Sequence, residues 1–174
     1  MKRVAILMAV LALAAGCDDN ETPTQPSNTG PIVFTAQLTA ANEVPPITGA
    51  EANARGTVTI TFNVPRDTSG NITGGGSATF GIQLNSFPAG TPAILAHIHT
   101  GAQGVAGGVF VNTGLSAAAP IVMGDGTANQ SITINNLTQE QATQVVSNPA
   151  GHYFNVHTQL NPGGAVRGQL TRTQ

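Results

Sequence analysis

The chain has 174 residues, a formal net charge of −2 and 40% hydrophobic residues, with no Trp and a single Tyr. This size suits one ordinary domain. A chain without a basic excess lacks the electrostatic footprint of a nucleic-acid-binding protein, and the shortage of Trp and Tyr argues against a carbohydrate-stacking site or an aromatic-rich protein interface.

The N-terminus has the features of a bacterial lipoprotein signal peptide. Lys2 and Arg3 give it a charged start, and an apolar run too short to span a bilayer leads to small residues before Cys17. This stretch resembles the lipobox, in which the signal peptide is cut before a cysteine that then receives lipid. The alternative is an ordinary secretory signal with a chance cysteine. Because Cys17 is the only cysteine, we expect residues 1–16 to be a signal peptide and Cys17 to be lipidated.

This N-terminus predicts the organisation and location of the rest of the chain. Residues 17–30 comprise the lipidated cysteine and a polar, Pro-containing segment typical of a flexible tether. Residues 31–174 form the folded domain. Lipid on Cys17 would anchor this domain to a membrane of the cell envelope, outside the cytoplasm, without spanning it. The choice of membrane and leaflet stays open.

The domain has a β pattern with one helix. Thr57 to Phe62 alternates polar and apolar residues, as a half-buried strand does. The same alternation recurs near Phe34–Leu38, Phe80–Leu84, Ile132–Ile134, Phe154–Val156 and Val166–Leu170. Thr138 begins a capping box that predicts a helix ending near Ser147. We therefore predict an all-β fold, an antiparallel Greek-key-like β-sandwich of immunoglobulin or superoxide dismutase-like build, with seven or eight strands and one short helix.

Two strand segments far apart in sequence carry histidines. His97 and His99 flank Ile98 on one strand, and His157 follows Val156 on another. Because strand side chains alternate between faces, the three imidazoles are expected on outward faces, and they converge if the strands are neighbours. Imidazole suits copper and zinc, so the three predict a metal site with an open position. The alternative is that they hydrogen-bond loop carbonyls and brace the sheet. His152 has the opposite parity to His157 and is left out.

Several separated motifs resemble the CHRD domain, which is named for chordin and is common in bacterial secreted proteins. They are Phe34–Pro46, Arg55–Gly56, Ala96–Gly101 with Gly104, Tyr153–Thr158 and Asn161–Leu170. The resemblance covers about Ile32 to Thr171 and implies the fold, but it supplies no catalytic residue set. A His-x-His strand completed by a later His also resembles, more distantly, the copper site of copper-zinc superoxide dismutases. The structural disulfide and the second, zinc-binding cluster of those enzymes are missing here.

Three further residues are candidates for supporting the histidines. Asn155 lies on the same strand face as His157, and either Asn155 or Glu43 could accept a hydrogen bond from a ligating imidazole. We prefer a structural ion pair for Glu43, with Arg55 or Arg167 as its partner. Arg167 is expected on an outer strand face, where its guanidinium could instead bind an anionic ligand.

These residues lead to a main hypothesis and two alternatives. The main hypothesis is a metal-binding module for copper or zinc at the cell envelope, with no catalytic residues. A non-catalytic adhesion or protein-interaction module, in which the histidines are structural, is the first alternative. A copper-dependent redox enzyme is a weaker one. Hydrolase chemistry is not indicated, because no nucleophile elbow and no plausible pair of acid and base carboxylates is present.

Overall fold

The computed structural model describes residues 30–174. The predicted signal peptide (1–16), the lipidation site Cys17 and all of the tether except Gly30 lie outside the described residues. Within the described range, no helix combines the length and the apolar character that crossing a membrane requires.

Antiparallel strands are the main secondary structure of the domain. They are β1 (Ile32–Thr39), β2 (Arg55–Asn63), β3 (Gly76–Asn85), β4 (Thr91–Thr100), β5 (Val109–Asn112), β6 (Ile121–Met123), β7 (Ala128–Leu137), β8 (His152–Thr158), β9 (Val166–Gln169) and β10 (Thr171–Arg172). One α-helix, α1 (Gln139–Ser147), and three short 3₁₀ turns, Ala40–Asn42, Gly49–Glu51 and Pro149–Gly151, complete it. The all-β class with one short helix is confirmed. The strands outnumber the prediction because β5, β6 and β10 are too short to show a clear alternation.

The strands hydrogen-bond in the order β5-β4-β8-β9-β1-β2-β3-β7, with β6 beside β4 and β10 beside β1. Strands β1, β2 and β3 form a meander, and β4 with β5 and β8 with β9 also pair as consecutive strands. Longer connections return β7 to β3 and β8 to β4. The sheet folds over on itself, since Phe80 of β3 stacks on Phe154 of β8 with ring centroids 5.8 Å apart although three strands separate them in the sheet. This closure encloses a core between the two halves.

Alternation along the strands builds that core. On β1 the inward residues Ile32, Phe34, Ala36 and Leu38 are buried, and the matching residues of β2 and β3 are buried as well. Helix α1 begins at the predicted capping box, in which the Thr138 hydroxyl accepts from the Gln141 N–H and the Gln141 side chain accepts from the Thr138 N–H. Among the described residues, one buried hydrophobic cluster draws on β1 to β9 and on α1. We therefore treat residues 30–174 as a folding unit.

Candidate metal centre

Strands β4 and β8 bring the three histidines together. They pair antiparallel, with His97 opposite Asn155, His99 opposite Tyr153 and Leu95 opposite His157. Side chains alternate along both strands, so the three imidazoles share the face opposite the buried Ile98. The two histidine-bearing strands are therefore direct neighbours in the sheet, which is the arrangement that the convergence of the imidazoles required. Each histidine offers one ring nitrogen to the cluster, and these three nitrogens lie within 4.8 Å of one another.

The histidines do not face solvent as expected. His97, His99 and His157 are only 5%, 7% and 6% exposed. Two loops cover this face of the sheet, the glycine-rich loop after β4 and the loop after β8, and each contributes a backbone carbonyl to a histidine ring. Strand parity correctly places the three rings on one face, but parity carries no information about what packs over that face.

Backbone carbonyls orient two of the rings. Nδ1 of His99 lies 3.0 Å from the Gly107 carbonyl oxygen, and Nδ1 of His157 lies 2.9 Å from the Pro162 carbonyl oxygen. A carbonyl only accepts, so both Nδ1 atoms carry the proton and both Nε2 atoms present a lone pair. This is the arrangement that metal-ligating histidines usually have. Of the two options left open for Asn155 and Glu43, a hydrogen bond to these Nδ1 atoms is not the one seen, because loop carbonyls accept from both rings.

The nitrogens are spaced for chelation. His97 Nδ1 and His157 Nε2 are 3.3 Å apart, close to the roughly 3.4 Å that separates two ligands in a tetrahedral site with bonds of about 2.0–2.1 Å. Because the His157 Nε2 is unprotonated, the His97 Nδ1–H donates to it. To offer Nδ1 to an ion, neutral His97 would carry its proton on Nε2 instead. The Nε2 of His99 is buried without a hydrogen-bond partner among the described residues. A buried nitrogen lone pair without a partner is costly unless it binds something.

The electrostatics keep the rings neutral. Burial, and to a smaller extent coulombic repulsion from His157 and His99, together lower the pKa of His97 from 6.5 to about 4. Burial is also the largest cause of the lowered pKa of His99 and of His157, to both of which the positive charge of Arg167 contributes. Neutral imidazole is the form that binds a metal, so the cluster is ready to accept one at neutral pH.

Glu43 and Arg167 form a buried ion pair beside the cluster. Arg167 Nε donates to Glu43 Oε2 at 2.8 Å, and Asn155 Nδ2 donates to Glu43 Oε1 at 2.7 Å. The preferred ion pair of Glu43 is therefore present, and its partner is Arg167, since the side chain of Arg55 instead donates to the Asn53 carbonyl. The outward position expected for Arg167 is wrong: it is 6% exposed and also donates to the Val105 carbonyl. A free guanidinium fork for an anion is therefore not present.

Tyr153 was missed by the sequence reasoning. Its ring stacks on His99, with centroids 4.9 Å apart and planes 9° from parallel, and the guanidinium carbon of Arg167 lies 4.4 Å from the Tyr153 ring centroid. The Tyr153 hydroxyl accepts from the Gly107 N–H at 3.2 Å. Its strand parity, which matches that of Asn155 and His157, is the signal that could have found it.

His152 lies outside the cluster, as its parity predicts. Its Nδ1 contacts the Asn148 carbonyl oxygen at 2.9 Å, and its ring lies 5.1 Å from that of Phe110, centroid to centroid. It therefore offers a matched control for the three clustered histidines.

Comparison with known proteins identifies the family. The sequence profile of the CHRD domain matches residues 34–170. No curated protein and no solved structure matches the chain. The profile match runs from within β1 to just after β9 and includes all three clustered histidines, Glu43 and Arg167. The chain therefore belongs to the CHRD domain family.

Proposed function

We propose that this domain binds one copper or zinc ion through His97, His99 and His157. The observation that carries the proposal is the convergence of three neutral imidazoles, one of which has a buried, unpartnered Nε2. Imidazole ligands suit both ions, and no thiolate or carboxylate joins the group of possible ligands found among residues 30–174. Three protein ligands leave a coordination position open, which suits a site that presents or exchanges its ion.

Metal content tests the proposal directly. Residues 30–174 would be loaded with equal copper and zinc, desalted and analysed by mass spectrometry. We expect about one ion per chain in the wild type and none in the variant His97→Ala/His99→Ala/His157→Ala. The matched control is His152→Ala, which removes a histidine outside the cluster and should keep the full metal content. Metal-free wild type, or equal metal in the triple variant, would rule out the site.

The leading alternative is an adhesion or protein-interaction module in which the histidines are structural. The hydrogen bonds from His99 and His157 to loop carbonyls favour it, because they would brace the loops without any metal. Thermal unfolding separates the two. An ion present at 100 times its dissociation constant stabilises the fold by about 2.7 kcal/mol, which raises the melting temperature of a domain of this size by roughly 5–11 °C. A structural role predicts no shift.

We also propose that lipid on Cys17 anchors the domain at the cell envelope, outside the cytoplasm. The support is the sequence before Cys17, which combines a charged start, a short apolar run and small residues. Full-length protein expressed in a bacterium should partition into the membrane fraction and carry a mass increase on Cys17. Cys17→Ser should abolish both, and its unchanged membrane partitioning would contradict the proposal.

A further inference from the structure

A second buried carboxylate lies under the loop that follows β8. Glu51, from the 3₁₀ turn Gly49–Glu51, is 0% exposed. Its Oε2 accepts from the Thr158 hydroxyl at 2.8 Å and from the Asn161 side-chain amide at 2.5 Å. Its Oε1 is buried without a hydrogen-bond partner among the described residues. Burying a carboxylate is costly, so these two bonds to one oxygen tie the loop firmly to the body of the domain.

The loop is further closed by its own backbone. The Thr158 hydroxyl accepts from the Asn161 N–H at 3.0 Å, and the Asn161 carbonyl accepts from the N–H groups of Thr158 and Gly164 at 3.3 and 3.1 Å. Asn161 is thus held from both ends. The next residue, Pro162, supplies the carbonyl that accepts the Nδ1 proton of His157. A continuous chain of contacts therefore runs from the Glu51 carboxylate to the ring of His157.

We infer that Glu51 is a positioning residue for His157: it fixes the Thr158–Gly164 loop, so that the Pro162 carbonyl holds the His157 ring with Nε2 aimed at the metal position. The inference rests on the proposed metal site for its effect on affinity. The side-chain hydrogen bonds of Glu51 go to Thr158 and Asn161 rather than to a histidine, so it acts on His157 through these two side chains and one backbone carbonyl.

The role differs from that of Glu43, although both residues come from the segment between β1 and β2. Glu43 pairs with Arg167 and Asn155, which do not hydrogen-bond to a histidine. Glu51 holds the loop whose carbonyl contacts one. Partners that orient a ligating histidine typically change metal affinity 10–100-fold when they are removed. We therefore expect the loss of Glu51 to affect the metal site more than its effect on stability alone would suggest.

The test compares Glu51→Ala with Glu51→Gln in residues 30–174. A Gln carbonyl can still accept from Thr158 and Asn161, so Glu51→Gln should retain most of the zinc affinity, while Glu51→Ala should lower it about 10–100-fold in chelator competition. Nitrogen NMR of the imidazoles in the metal-free protein gives a second readout. Wild type and Glu51→Gln should show His157 protonated at Nδ1, and Glu51→Ala should show a mixture of tautomers. Thr138→Ala, at the remote helix cap, controls for general destabilisation.

Each outcome has a defined meaning. A folded Glu51→Ala that keeps the Nδ1 tautomer and the wild-type zinc affinity would overturn the inference, as would an equal loss of affinity in Thr138→Ala. If Glu51→Ala does not fold, Asn161→Ala breaks the same link and carries the same expectation. A wild type that binds neither zinc nor copper would refute the proposed function, and the tautomer comparison in the metal-free protein would then decide the positioning role by itself.

Discussion

Breaking the buried pair between Glu43 and Arg167 should destabilise the domain strongly. The side chains are 3% and 7% exposed and their charged atoms are 2.8 Å apart. Burial raises the pKa of the Glu43 carboxyl, and the hydrogen bond and positive charge of Arg167 only partly oppose it. The cost of removing the carboxylate from water therefore offsets much of the attraction within the pair, as is common for buried ion pairs.

The expected magnitude follows from which charge is left behind. Glu43→Gln keeps an acceptor for Asn155 but leaves the guanidinium of Arg167 buried without its counter-charge, and such losses cost about 3–5 kcal/mol. At roughly 2–4 °C per kcal/mol, the melting temperature should fall by at least about 6 °C. Arg167→Met should cost less, since the isolated Glu43 can take up a proton and become neutral.

A double-mutant cycle with urea unfolding at pH 7 tests this reasoning. The double variant Glu43→Gln/Arg167→Met removes both charges, so it should be more stable than Glu43→Gln alone, with a coupling energy of about 2 kcal/mol or more. Arg55→Met is the matched control, because Arg55 is exposed and lies outside the pair. Additive effects of Glu43→Gln and Arg167→Met would refute the buried-pair account.

Three further predictions concern pH, a glycine and the helix cap. In the metal-free protein, the unfolded chain binds a proton at His97 below about pH 6.5, whereas the folded state does so only near pH 4. The free energy of unfolding should therefore fall on acidification through this window, by roughly 2 kcal/mol after allowing for solvent screening. Urea unfolding at pH 7 and at pH 4.5 measures this fall, which should be smaller in His97→Gln. Gly164 has φ +134°, and an added Cβ would lie 2.7 Å from Asn155 Nδ2 and 2.9 Å from the Glu43 carboxylate oxygens. Gly164→Ala should therefore lower the free energy of unfolding by more than about 1 kcal/mol in thermal melts. A neutral effect would contradict the close approach of this loop to the ion pair. Thr138→Ala removes the N-cap of α1 and should lower the free energy of unfolding by about 1 kcal/mol in chemical unfolding, with the metal content unchanged. A loss of metal in this variant would show that α1 supports the site.

Local sequence patterns were enough to predict the longer strands, the helix and the shared face of the three clustered histidines. Alternation at Thr57–Phe62 is a local property, because side chains on a strand must point to opposite faces. The helix beginning after Thr138 is equally local, since the capping box involves residues three apart. The alternation of side chains along a strand also placed His97 and His99 on one face and left His152 out. These predictions succeeded because each depends on neighbours along the chain.

What packs over that face depends on contacts between residues far apart in the chain. The histidines are buried because two loops fold over them, and the carbonyls of Gly107 and Pro162 that orient the rings belong to the backbone, which has no signature in a sequence. Arg167, and not Arg55, pairs with Glu43 because β9 lies beside β8 in the sheet. Glu51 reaches the loop after β8 across 107 residues of chain. Contacts over such separations depend on how the strands pack, and local pattern therefore could not select them.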